Sequence, residues 1–83
     1  MNKQPSTAIS ASIIALVATS LDVAPATLSQ DSGPASVAEW DSLAHVTVIT
    51  AAEKAFGVEF AVDEMLSINS IANLCQLIET KLR

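Results

Sequence analysis

Ile9, Ile13, Leu16, Val17 and Leu21 recur at the spacing of one face of an α-helix, and the same period returns twice further along the chain. It returns in His45, Val48, Ile49, Ala52 and Phe56, and again in Ile71, Leu74, Leu77 or Ile78, and Leu82. A helix with such a stripe must bury it against a neighbour, so three separated stripes predict an all-α chain folded as a small bundle. The residue inventory agrees. With no Tyr and two Phe the core is aliphatic, and two Gly and three Pro leave few hairpin turns. Eighty-three residues make a single domain, 1–83, with no room for a second core.

The first helix is expected to start after Ser6 or Thr7 as cap, with Pro5 just outside, and to end near Leu21. Asp22 to Trp40 then reads as a loop punctuated by Pro25, Gly33 and Pro34, with Val23, Leu28 and Val37 available to pin it to the core. Loops beyond about 12–15 residues are uncommon in compact domains and tend to be functional or anchored. Asp41 is a good N-cap for a second helix over Ser42–Phe56 that stops at Gly57. A short turn of helix over Asp63–Leu66 follows. Asn69 or Ser70 caps a last helix closed by Lys81 and Arg83, the favourable sign at a helix C-terminus. The expected fold is a four-helix bundle of three main helices and one short one, with a long first loop.

Charge and rare residues exclude several classes. A net charge of −5 and a pI near 4.4 argue against a nucleic-acid binder and favour partners with positive patches. One His and one Cys cannot supply a closed zinc site, and the lone Cys75 has no disulfide partner within the chain. Ala8–Leu21 is uncharged, but Ser10, Ser12, Thr19 and Ser20 interrupt it. Its fourteen residues fall short of the roughly 20 that span a bilayer. A cytoplasmic, monomeric protein without membrane partners is the expectation.

The only Trp and the only His flank one serine in "EWDSLAH", residues 39–45. Stepping 100° per residue from Ser42 puts His45, Val48, Ile49, Ala52 and Phe56 between about 240° and 340°, the core stripe. Leu43, Val46, Thr47, Thr50, Glu53 and Lys54 fall between about 20° and 140°, on the opposite face. Ser42 thus sits in the first turn beside a face with two unneeded aliphatics, Leu43 and Val46, as a docking face would have. A self-activated nucleophile is a poor reading, because His45 is the one available base and no third group is placed to orient it. A helix N-terminus instead favours a phosphate, through its free N–H groups and positive dipole end.

With "WDSLAHVTVITAAEKAFGVEF", "VDEML" and "SINSIANLCQLIETKL" in this order and spacing, nearly the whole chain resembles the small acyl carrier proteins. The resemblance implies a non-catalytic carrier with 4′-phosphopantetheine joined to Ser42 through a phosphodiester. It implies that Asp41 helps present Ser42 to a phosphopantetheinyl transferase that uses coenzyme A and magnesium. Leu43 and Val46, with Thr47 and Thr50, would face partner enzymes that load and process acyl groups. Trp40 and His45 match the "WDSLxH" variant of free-standing carriers, and structural roles are expected of them: Trp40 packing the loop end, His45 at the helix–loop edge.

One departure bears on the pathway. The second helix has Glu53 as its only acid, offset by Lys54, whereas carriers of housekeeping fatty-acid synthesis usually have a strongly acidic one. A specialised pathway, polyketide-type or other secondary metabolism, is the expectation. A carrier of aminoacyl or peptidyl groups would share the fold and the serine, and an unmodified helical interaction domain would keep Ser42 as a mere cap. Ala51, Ala52 and Ala55 make the second helix slim, leaving space between helices either for part of an acyl chain or for neighbouring Leu and Ile side chains.

Overall fold

In a computed structural model that describes residues 7–82 (side chains 9–82), the stripes become α1 Thr7–Leu21, α2 Ser42–Phe56, α3 Val62–Ser67 and α4 Ile71–Leu82. No strand occurs among the described residues, so the all-α expectation holds. Ser6, expected as a cap with Pro5 just outside it, and the terminal Arg83 lie outside the described residues, and Thr7, the other cap candidate, is the first residue of α1. α3 is one residue longer at each end than its sequence signals suggest.

Ile13, Val17, Ala18 and Leu21 of α1 meet Val48, Ile49 and Ala52 of α2, and Ile71, Leu74, Cys75 and Ile78 of α4, in one aliphatic core. Burying each large aliphatic side chain contributes roughly 1.5–3 kcal/mol, which is why these stripes dictate the fold. Two expectations need correction on α4 and α2. Leu82, expected on the buried face, is 49% exposed in the last turn of α4, and Cys75 belongs to the buried stripe. Ala55 faces solvent, so the slimness of α2 opens inward only at Ala51 and Ala52.

The long loop is anchored as expected, with Leu28 buried and Val23 and Val37 packed partly against the core. It also holds a 3₁₀ turn at Pro25–Thr27, which Pro25 starts with its fixed φ and missing N–H. The loop then closes over the start of α4. Ile71 N–H donates to the Ser32 carbonyl and Ala72 N–H to that of Gln30, both at 2.9 Å. The Ser70 hydroxyl accepts from Asn73 N–H at 3.1 Å, so Ser70 is the cap and Asn69 is not. Gly33 permits this contact, since a Cβ there would overlap the Asn69 carbonyl oxygen.

α3 has no fully buried side chain, so polar ties matter more to its position. The Glu64 carboxylate accepts the Ala61 N–H at 2.8 Å and pairs with Lys81 Nζ at 2.9 Å. The backbone hydrogen bond from Ala61, and then Lys81, hold the Glu64 carboxyl below its ordinary value. Lys81 also lies 5.4 Å from the centre of the Phe60 ring. Glu53, expected on the open face of α2, is half-buried because its carboxylate accepts the Phe60 N–H at 2.9 Å and ties the segment before α3 to α2.

Candidate functional site: the open start of α2

α2 begins where the loop ends. Asp41 has extended backbone and its carboxylate accepts the Ala44 N–H at 2.8 Å, the geometry of an N-cap. Gly57 ends the helix in the left-handed conformation, φ 66°, as its position in the sequence anticipates. Ser42 is the first helical residue and is exposed, and its hydroxyl has no hydrogen-bond partner among the described residues. Nor does any described residue accept the Ser42 or Leu43 N–H. The positive end of a 15-residue helix therefore faces outward beside a free hydroxyl.

His45 is not a base for that hydroxyl. The Trp40 indole N–H donates to His45 Nδ1 at 2.9 Å, so the ring proton sits on Nε2 and donates to the Met65 carbonyl oxygen of α3, also at 2.9 Å. Both ring nitrogens are engaged. Trp40 is fully buried beneath the loop end, its ring tilted 34° to the imidazole with centroids 6.1 Å apart. The structural roles expected of this pair are the roles they have.

Leu43, 78% exposed, stands beside Val46, Thr47 and Thr50, all exposed along one face of α2. α3 adds Val62 and Leu66, 69% and 73% exposed. These two escaped the sequence reading, although their spacing of four residues puts them on one side of a helix. Between α2, α3 and the loop runs a groove of about 610 Å³ lined by Pro34, Trp40, Ser42, His45, Met65 and Ile68, among others. That volume is within the roughly 300–1,000 Å³ of small-molecule sites. The groove combines residues from three segments distant in sequence, and period alone gave no signal for it.

A family model described as the phosphopantetheine attachment site matches residues 11–78. The chain belongs to this family of acyl-carrier-type proteins. Its members are carriers with no catalysis of their own. No curated protein matches the chain significantly. The match embraces α2, α3, the groove and most of α1 and α4. An exposed hydroxyl and unpaired helix N–H groups beside an open groove fit a phosphate-linked arm. No set of three or more His, Cys, Asp or Glu among the described residues is placed to hold a metal ion, and no described helix is long and apolar enough to cross a membrane.

Proposed function

We propose that the carrier bears 4′-phosphopantetheine on Ser42, in a phosphodiester installed from coenzyme A by a phosphopantetheinyl transferase. The observation that carries this is the open start of α2, where an exposed, unbonded hydroxyl meets outward N–H groups. The matching start of α4 offers no such hydroxyl, since Ser70 spends its own on Asn73. Asp41 presents Ser42 by capping the helix and fixing the first turn. The bound arm supplies a terminal thiol that holds an acyl group as a thioester, and the chain's own residues provide position and partner contact.

Tethering gives the cargo a high effective concentration at each partner's active site, provided that docking is brief. Leu43, Val46, Thr47 and Thr50 form the contact face, extended by Val62 and Leu66. The face has little charge, because Glu53 is turned to Phe60 N–H and Lys54 balances it. Partner choice thus rests on apolar and hydroxyl contacts, which favours acyl carriage in a specialised pathway, polyketide-type or similar, over housekeeping fatty-acid synthesis. The same reading puts the carrier in the cytoplasm as a single-domain monomer.

Incubation with coenzyme A, magnesium and a broad-specificity phosphopantetheinyl transferase is expected to add the mass of one arm. Failure to gain it, or a gain that survives Ser42→Ala, overturns the assignment. Loading with carboxylic-acid and amino-acid adenylating enzymes then separates an acyl from an aminoacyl carrier.

A further inference from the structure

Ser42 lies between two residues whose side chains are bonded to each other. The indole N–H of Trp40, just before the cap, donates to Nδ1 of His45 in the first turn of α2 at 2.9 Å. The bond closes a ring of chain over Asp41, Ser42, Leu43 and Ala44. Two other bonds shape this corner, from Ala44 N–H to the Asp41 carboxylate and from His45 N–H to the Asp41 carbonyl, both at 2.8 Å. Both begin and end within the cap and the first turn, and neither reaches the loop before Asp41. Helix ends fray, and the outward Ser42 and Leu43 N–H groups add no restraint of their own. Trp40, by contrast, is fixed. Its ring is buried in the core and its backbone N–H donates to the Val37 carbonyl at 3.0 Å. Among the described residues, the indole–imidazole bond is the one hydrogen bond that joins the corner to this buried loop end.

We propose that Trp40 and His45 form a staple that positions Ser42 for modification, the indole holding the imidazole and with it the first turn of α2 in the arrangement that the transferase accepts. This rests on the assignment of Ser42 as the attachment residue. In that reaction Ser42 Oγ forms a bond to the pantetheine-bearing phosphorus of coenzyme A and the anhydride P–O bond breaks. The nucleoside bisphosphate leaves with the bonding electron pair, and the hydroxyl proton passes to a base of the transferase. Such a displacement needs the hydroxyl in one place, and a frayed turn does not keep it there. Trp40 and His45 are positioning residues, since both imidazole nitrogens and the indole N–H are engaged with one another and with Met65. A chain that holds the competent arrangement only part of the time has its apparent affinity lowered by that fraction. The staple therefore acts on KM for the carrier and leaves kcat unchanged.

Two near-isosteres separate the staple from the bond to Met65. In His45→Asn the amide oxygen takes the place of Nδ1, so the bond from Trp40 is kept and the one to the Met65 carbonyl is lost. In His45→Gln the amide nitrogen takes the place of Nε2, and the reverse holds. The test is steady-state modification of full-length protein by coenzyme A and a broad-specificity transferase. His45→Gln and Trp40→Phe are each expected to raise KM for the carrier about fivefold at unchanged kcat, the shift that loss of one hydrogen bond brings. The double variant is expected to show no further rise, because both changes break one bond. His45→Asn is expected to keep KM within about twofold of native, well short of that shift. A general loss of stability of the same size would leave the chain folded and KM unmoved. KM unchanged in His45→Gln and Trp40→Phe, or raised as much in His45→Asn as in His45→Gln, overturns the staple and leaves the Ser42 assignment standing. No mass gain by the native protein overturns that assignment, a separable outcome. Nitrogen NMR of the native imidazole keeps the inference open to refutation even if a variant fails to fold. It is expected to show a bare Nδ1 and a protonated Nε2, and the reverse tautomer refutes the staple.

Discussion

α2 and α4 both begin after an irregular stretch with a polar cap, yet one start is open and the other closed. At α4 every early N–H is taken: Ser32 and Gln30 carbonyls serve Ile71 and Ala72, Ser70 Oγ serves Asn73, and Leu74 bonds to the Ser70 carbonyl. At α2 the Asp41 carboxylate serves Ala44 and its carbonyl serves His45, while the Ser42 and Leu43 N–H groups face outward. The same local chemistry thus gives a structural joint in one place and an open corner in the other. What differs is whether the long loop lies across the helix end.

The largest expected effect comes from forcing the closed start open. Gly33→Ala puts a methyl group into the Asn69 carbonyl, so the loop must lift and its hydrogen bonds to Ile71 and Ala72 weaken. A loss of about 3 kcal/mol is expected in urea unfolding, the upper range for overpacking a tight contact. Unchanged stability would show that the closure does not depend on this close approach. Ser70→Ala removes only the side-chain part of the closed start, and about 1 kcal/mol is expected in the same assay.

At the open start, Asp41→Ala is expected to cost somewhat less, about 0.7 kcal/mol, because water can serve the freed Ala44 N–H. Asp41→Asn should cost only a few tenths by the same measurement, since Asn also caps. Ser42→Ala is expected to leave stability within about 0.5 kcal/mol of native, as its hydroxyl is unbonded, while abolishing the mass gain from coenzyme A. Equal stability losses for Ser42→Ala and Ser70→Ala would erase the contrast between the two starts.

A smaller effect, confined to α3, follows from acid. Glu64 has its carboxyl held low in the folded chain, so its contribution is fully present above the ordinary value of 4.5. It is lost as pH falls through the lower folded value. In an acid titration followed by NMR, the amide signals of Ala61 and Glu64 are expected to move below pH 4.5, before those of the α1–α2 core.

The bundle was legible because aliphatic stripes with a 3.6-residue period bury themselves in only a few ways. Asp41, Gly57 and the anchoring of Leu28 were legible too, since caps and stops depend on neighbours in sequence. Ser42's exposure followed from the same helical arithmetic. The loop's closure over α4 was not legible, because Gln30 and Ser32 act through backbone carbonyls that any residue type carries. The target of His45 escaped for the same reason, as Met65 contributes its carbonyl oxygen and not its side chain. Glu53 and Leu82 departed from their expected places because a wheel of one helix knows nothing of the segment before α3 or of where neighbours end.

Cys75 has a consequence for any chemist handling this carrier. It is fully buried in α4, and that burial pushes its thiol up to about 11, against a partial opposing pull from a hydrogen bond with Ser10. At neutral pH its sulfur is protonated and out of reach of a thiol reagent. With the proposed arm in place, a folded carrier would therefore show one accessible sulfur to maleimide or disulfide probes, that of the arm. The ratio of labelled thiol to protein becomes a direct meter of how much of a preparation carries a free arm thiol, loaded and armless chains both reading zero, and unfolding the sample raises the count by one as an internal standard.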